Sequence, residues 1–147
     1  MIQQTLSKLF NRDLDLLADE IKAYQKEDQL WILKGEIKNT AWNLCMHLIG
    51  NLNHFIGHAL GKSAYSRQRE HEFSGTESRE KLLIQIEETK QLVSQTILNL
   101  SNEKMEQNFP IRVFDREHTV SHFLIHLSTH LNYHLGQINY HRRLLKP

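Results

Sequence analysis

Cysteine is nearly absent from this chain: Cys45 is the only one among 147 residues, so no intrachain disulfide can form. Proline and glycine are also scarce, at 2 and 6 residues. That scarcity excludes a turn-rich all-β fold and favours long uninterrupted helices. An excess of charge is lacking too. Lys and Arg number 18 against 17 Asp and Glu, for a formal net charge of +1, and no broad electrostatic footprint for nucleic acid or membrane follows. No apolar run approaches the length that spans a bilayer. The opening segment, MIQQTLSKLFNRDLDLL, has neither a long apolar region nor a small-residue cleavage site. The expectation is a soluble, cytoplasmic protein with no nucleic-acid and no membrane partner.

What is present is helical period. The length and the 39% hydrophobic content fit one domain spanning 1–147. A first helix is predicted over Ile2–Gln25, with Leu6, Phe10, Leu14, Leu17 and Ile21 as one apolar stripe. A polar connection with extended structure near Trp31–Ile37 follows. A second helix is predicted from a cap at Asn39 or Thr40 to about Leu60, with Gly61 as its stop. The charged stretch KSAYSRQREHEFSGT reads as a loop, and a third helix is predicted over Glu77–Leu100. Pro110 breaks the next connection, where IRVF reads as a short strand. The last helix is predicted over Thr119–Leu145, with His141, Arg142, Arg143 and Lys146 as cations suited to its C-terminal dipole. Four such helices predict an all-α, single-domain antiparallel four-helix bundle.

The chain has ten histidines, and their placement is the informative feature. His118, His122, His126, His130 and His134 recur every four residues on the last helix. Each such step drifts by about 40°, so the row cannot stay on one face. Measured from Val120, with Leu127, Leu131, Ile138 and Leu145 marking the core direction, His134 lies about 40° and His130 about 80° away. His118 and His122 then face solvent, and His126 is exposed or sits behind the ligands. His130 and His134 are neighbours one turn apart and can grip one metal ion. His141 and His126 each lie two turns from His134, so a third ligand must come from another helix.

The second helix supplies it, because His47, Asn51, His54 and His58 form a polar flank beside the apolar arc of Leu44, Leu48, Leu52, Phe55 and Ala59. Spacing leaves the choice within that flank open. Cys45 falls among apolar positions and reads as a buried small side chain rather than a nucleophile. His71 sits in a charged loop.

The segments NLCMHLIGNLNHFIG and HLNYHLGQI resemble the DinB-like (DinB/YfiT-like) superfamily of metal-dependent enzymes, over essentially the whole chain. The resemblance implies a divalent metal held by one histidine of the second helix and the H-x-x-x-H pair of the last. Position for position these are His47, His130 and His134. Gly136-Gln137 matches the family's Gly-Gln, while Leu135 stands where arginine is frequent.

Three imidazoles leave open coordination positions, unlike closed structural zinc sites, and suit zinc or nickel first, with iron also admissible. Such an ion could ionise a low-molecular-weight thiol for S-transfer, the expected function, or activate water for hydrolysis. A non-enzymatic metal-binding or interaction module, including a homodimer, is the third reading. No Asp or Glu lies on either histidine flank, which favours S-transfer. A carboxylate would have to arrive from the loop of Glu70 and Glu72, or from Asp115 and Glu117.

Overall fold

Four long helices carry the core. The computed structural model describes residues 1–146, so the last position of the expected domain, Pro147, lies outside the described residues. In chain order the helices are α1 (Ile2–Ala23), α2 (Ala41–Leu52), α3 (Arg69–Ser74), α4 (Arg79–Leu98), α5 (Asn102–Glu106) and α6 (Val120–Leu144). A 3₁₀ turn covers Glu27–Trp31, and a π-helical turn, Asn53–His58, continues α2. Both α1 and α2 pack against α4 and against α6, and α3 lies on α2. The stripe Leu6, Phe10, Leu14, Leu17 and Ile21 is buried as its period requires. It joins Trp42, Leu48, Leu52, Ile86, Val93, Leu131 and Ile138 in one apolar cluster.

Caps account for where these helices begin. Thr40 Oγ1 accepts the Asn43 amide at 3.1 Å while Asn43 Oδ1 accepts the Thr40 amide at 3.0 Å, so two orphan donors are satisfied reciprocally at the start of α2. Ser78 and Thr119 cap α4 and α6 by accepting the amides of Lys81 and His122.

The fold is all-α, as expected, with several local differences. No strand occurs among the described residues. Where IRVF suggested one, there are only the isolated bridges Asn108–Thr119 and Val113–Arg116. A 3₁₀ turn ends at Trp31, Ile32 is extended, and a turn follows at 35–36. The charged loop contains the short helix α3.

The second helix does not hold α-helical phase to Leu60. Asn53 Nδ2 donates to Ile49 O and to Thr89 Oγ1, at 2.9 and 2.8 Å, where the π turn begins. His141 is not a solvated C-terminal cation but a buried group. Its Nε2–H donates to Ile32 O and its Nδ1 shares a hydrogen bond with Tyr24 Oη, both at 2.7 Å. His118, expected in solvent, is half-buried and stacked on His122. Among the described residues, no helix is long and apolar enough to cross a membrane.

Phe10 is wholly enclosed and Ile84 is half-exposed on α4. Phe10→Ala is expected to cost about 3–5 kcal/mol. Ile84→Ala should stay within about 0.5 kcal/mol of the parent. Urea unfolding of the two variants checks both values.

Candidate metal centre

His47 projects from the middle of α2, and His130 and His134 project from one turn of α6. The contact between α2 and α6 brings the three rings together. The Nε2 of His130 lies 3.3 Å from Nε2 of His47 and 3.1 Å from Nε2 of His134. All three rings are half-buried.

The outer nitrogens decide what those inner ones can do. Glu72 is buried, at 2% exposure, and its Oε1 lies 3.1 Å from His47 Nδ1. Arg67 donates Nε–H to Oε2 and Nη2–H to Oε1 of the same carboxylate, each at 2.9 Å. Burial alone would raise the Glu72 pKa. Hydrogen bonds from His47 and Arg67, with the guanidinium charge, more than offset this and hold the carboxyl below its ordinary value. An ionised carboxylate only accepts, so a proton on His47 Nδ1 faces Glu72, with Arg67 Nη2 also 3.3 Å from that nitrogen, and in the neutral ring Nε2 then presents a lone pair. His134 Nδ1 likewise donates to Gln137 Oε1 at 2.7 Å, leaving its Nε2 as a lone pair.

His130 completes the set. Its pKa is pushed down to about 4, by burial first and then by the neighbouring His134 and His47, so the ring is neutral at physiological pH. Its Nδ1 is buried without a hydrogen-bond partner. A proton on Nε2 could serve only one of the two facing nitrogens. A proton on Nδ1 makes three lone pairs converge, which repel one another unless a cation lies between them. A tetrahedral ion with Zn–N bonds of about 2.0–2.1 Å separates its nitrogens by about 3.3 Å. The two observed separations match that value, so the cluster could hold a metal ion.

Of the expected candidates, then, His47, His130 and His134 meet. They are the set of His, Cys, Asp and Glu side chains among the described residues with ligand atoms mutually close enough for an ion, all within 4.8 Å of one another. His54 and His58 stack on each other in the π turn, and His126 stacks on Phe123. His71 pairs with Glu77. Cys45 is fully buried and its thiol is pushed up to about 12, which keeps it protonated.

A carboxylate does arrive from the loop, and it is Glu72, but it meets the outer nitrogen of His47 rather than the space between the rings. Arg67 was not legible as its partner, because it lies in a loop without period. The tightness at Gly50 offers an indirect signal. A Cβ there would collide with the Glu72 carboxylate, so α2 needs glycine at that turn. Two exposed aromatics flank the centre: Phe73 lies beside His47, with ring centroids 5.9 Å apart, and Tyr133 lies beside His134 at 5.2 Å.

The chain belongs to the family described as "Protein of unknown function (DUF1572)", whose model matches residues 3–147. No curated protein sequence matches it significantly. Among solved structures, it is similar to the colibactin self-resistance protein ClbS in complex with a dsDNA. The TM-score is 0.65 and the identity 18%, over 98% of this chain and 97% of that one. At that identity the likeness is one of fold.

It nonetheless corrects two expectations. A thiol transferase or hydrolase acting on a small molecule, with nucleic acid excluded, does not stand beside a self-resistance protein of this fold that engages duplex DNA. The physical reasons are plain. Net charge is a sum over the whole surface, whereas phosphate contact depends on where individual cations sit. Open coordination at an ion permits chemistry without specifying any.

Two outcomes are expected at this centre. Glu72→Gln should weaken zinc binding about 10- to 100-fold, and Gly50→Ala should do the same by displacing the carboxylate, both read by competition with a chelating dye. Unchanged affinity in both variants would remove Glu72 from the account. The metal-free protein should also lose stability as pH falls from 6.5 towards about 4. In that window the unfolded chain protonates His130 and the folded chain does not. Thermal melts should therefore slope downward there, and His130→Asn should flatten the slope.

Proposed function

We propose that this chain is a non-enzymatic, DNA-interacting protein built on a DinB-like antiparallel four-helix bundle, in which His47, His130 and His134 hold one divalent ion. The observation that carries the DNA reading is the near-complete overlap of its fold with a self-resistance protein solved on double-stranded DNA. Zinc or nickel suits three imidazoles best, with iron next. The ion ties α2 to α6 and puts positive charge between them. Its role in this reading is to fix the two helices and attract an anion.

The surroundings of the centre support that role. Phe73 and Tyr133 are 45% and 64% exposed, so each offers an apolar ring of the kind that wedges between the base steps of a duplex. Lys62 is exposed before α3 and Arg69 is exposed at its first residue, and both are cations of the kind that contact a phosphate backbone. Such a partner places the protein where DNA is, consistent with the cytoplasmic location expected from the sequence.

Fluorescence anisotropy with a labelled 20-base-pair duplex (about two helical turns) tests the reading. The zinc-loaded protein should bind with Kd on the order of 10⁻⁴ to 10⁻⁶ M and weaken steeply as salt rises. Replacing Phe73 and Tyr133 together by Ala should weaken duplex binding about tenfold. No anisotropy change at low salt, with protein well above that range, would overturn it.

A further inference from the structure

A cavity of about 280 Å³ lies between the 34–39 segment, the start of α2 and the end of α6, with Gln137 in its lining. We propose that it binds a small amphipathic anion, an apolar body of roughly octanoate size carrying a carboxylate. Leu44, Ile37, Leu144 and the Tyr140 ring give it apolar walls, while Lys34 and Lys38 stand at its edge. No acidic side chain lines it, so charge complementarity selects an anion over a cation.

The cavity is built in advance of any ligand. Gly35 turns the 32–39 segment with φ +63°, a conformation that other residues adopt rarely. The buried His141 donates to Ile32 O at one end of that segment, and Lys34 Nζ donates to Leu144 O at 2.6 Å, closing the C-terminal end of α6. These two bonds hold the walls at a set separation, so binding need not order them. Lys34 is committed to that carbonyl, and no ion-pair partner of Lys38 occurs among the described residues. Lys38 is therefore the cation that meets the carboxylate. Gln137 lines the cavity and also receives the His134 proton, so an occupant touches the side chain that orients one member of the histidine cluster.

The test is isothermal titration of the full-length protein with octanoate and, separately, with octyltrimethylammonium, the same tail under the opposite charge. Octanoate should saturate one site per chain, and the cation should bind at least tenfold more weakly. Lys38→Glu should weaken octanoate tenfold or more. Leu144→Trp, at an exposed position where folding is not at stake, should block it by filling the cavity. Equal binding of the two amphiphiles, or octanoate affinity unchanged in both variants, overturns the proposal. So does a dimer in sedimentation that octanoate leaves intact and Leu144→Trp dissolves, because the occupant is then a second copy of the chain. Duplex binding measured on Lys38→Glu separates this site from the DNA reading, and each can fail without the other.

Discussion

The buried carboxylate of Glu72 is the group on which the centre depends. It sits between a guanidinium and an imidazole, accepts three hydrogen bonds, and lies against a turn of α2 where only glycine leaves room. Removing a carboxylate from water costs several kcal/mol, on the order that a paired and fully hydrogen-bonded geometry can offset. Little net stability is expected from such an arrangement, but it sets the proton of His47 on Nδ1. With that proton placed, and the His134 proton placed by Gln137, two lone pairs face His130 across the α2–α6 contact. The third ring is kept neutral by its burial. The cluster is thus a consequence of hydrogen bonds one step removed from it, the usual way in which ligand orientation is controlled.

The same helices explain why the site is rigid. Thr40 and Thr119 start α2 and α6 at defined residues, and the two helices share a core with α1 and α4. Ligands on packed helices are held more firmly than ligands on loops. The loop contribution, Arg67 and Glu72, is anchored in turn through α3, where Asn43 Nδ2 donates to Glu72 O at 3.2 Å.

Much of this was legible in the amino-acid order because it depends on helical phase. The stripe of α1, the capping residues and the selection of His130 and His134 from a five-member row all follow from 100° per residue. The choice of His47 came through family resemblance, since spacing alone left four polar positions open on α2. What could not be read lay in tertiary pairings. The π turn depends on Asn53 meeting Thr89 on another helix, and although helical phase already turned His141 toward the interior edge, its partners Tyr24 and Ile32 O are both more than a hundred residues away. The Glu70 and Glu72 stretch was legible as a source of a carboxylate, but Arg67 as its partner, and His47 Nδ1 as its target, were not. A net charge near zero was too coarse to exclude a nucleic-acid partner, because phosphate contact depends on where individual cations sit.

The central claim is that three imidazoles, and no other protein ligands, surround one ion. X-ray absorption at the zinc edge of the loaded protein addresses it directly. Three-imidazole ligation gives a nitrogen shell at about 2.0–2.1 Å with the outer-shell scattering of three imidazole rings, reduced to one ring in a His130→Ala, His134→Ala double variant that still retains zinc, or zinc lost altogether in that variant. A sulfur shell near 2.3 Å, or a spectrum of oxygen ligands unchanged in the double variant, would contradict it.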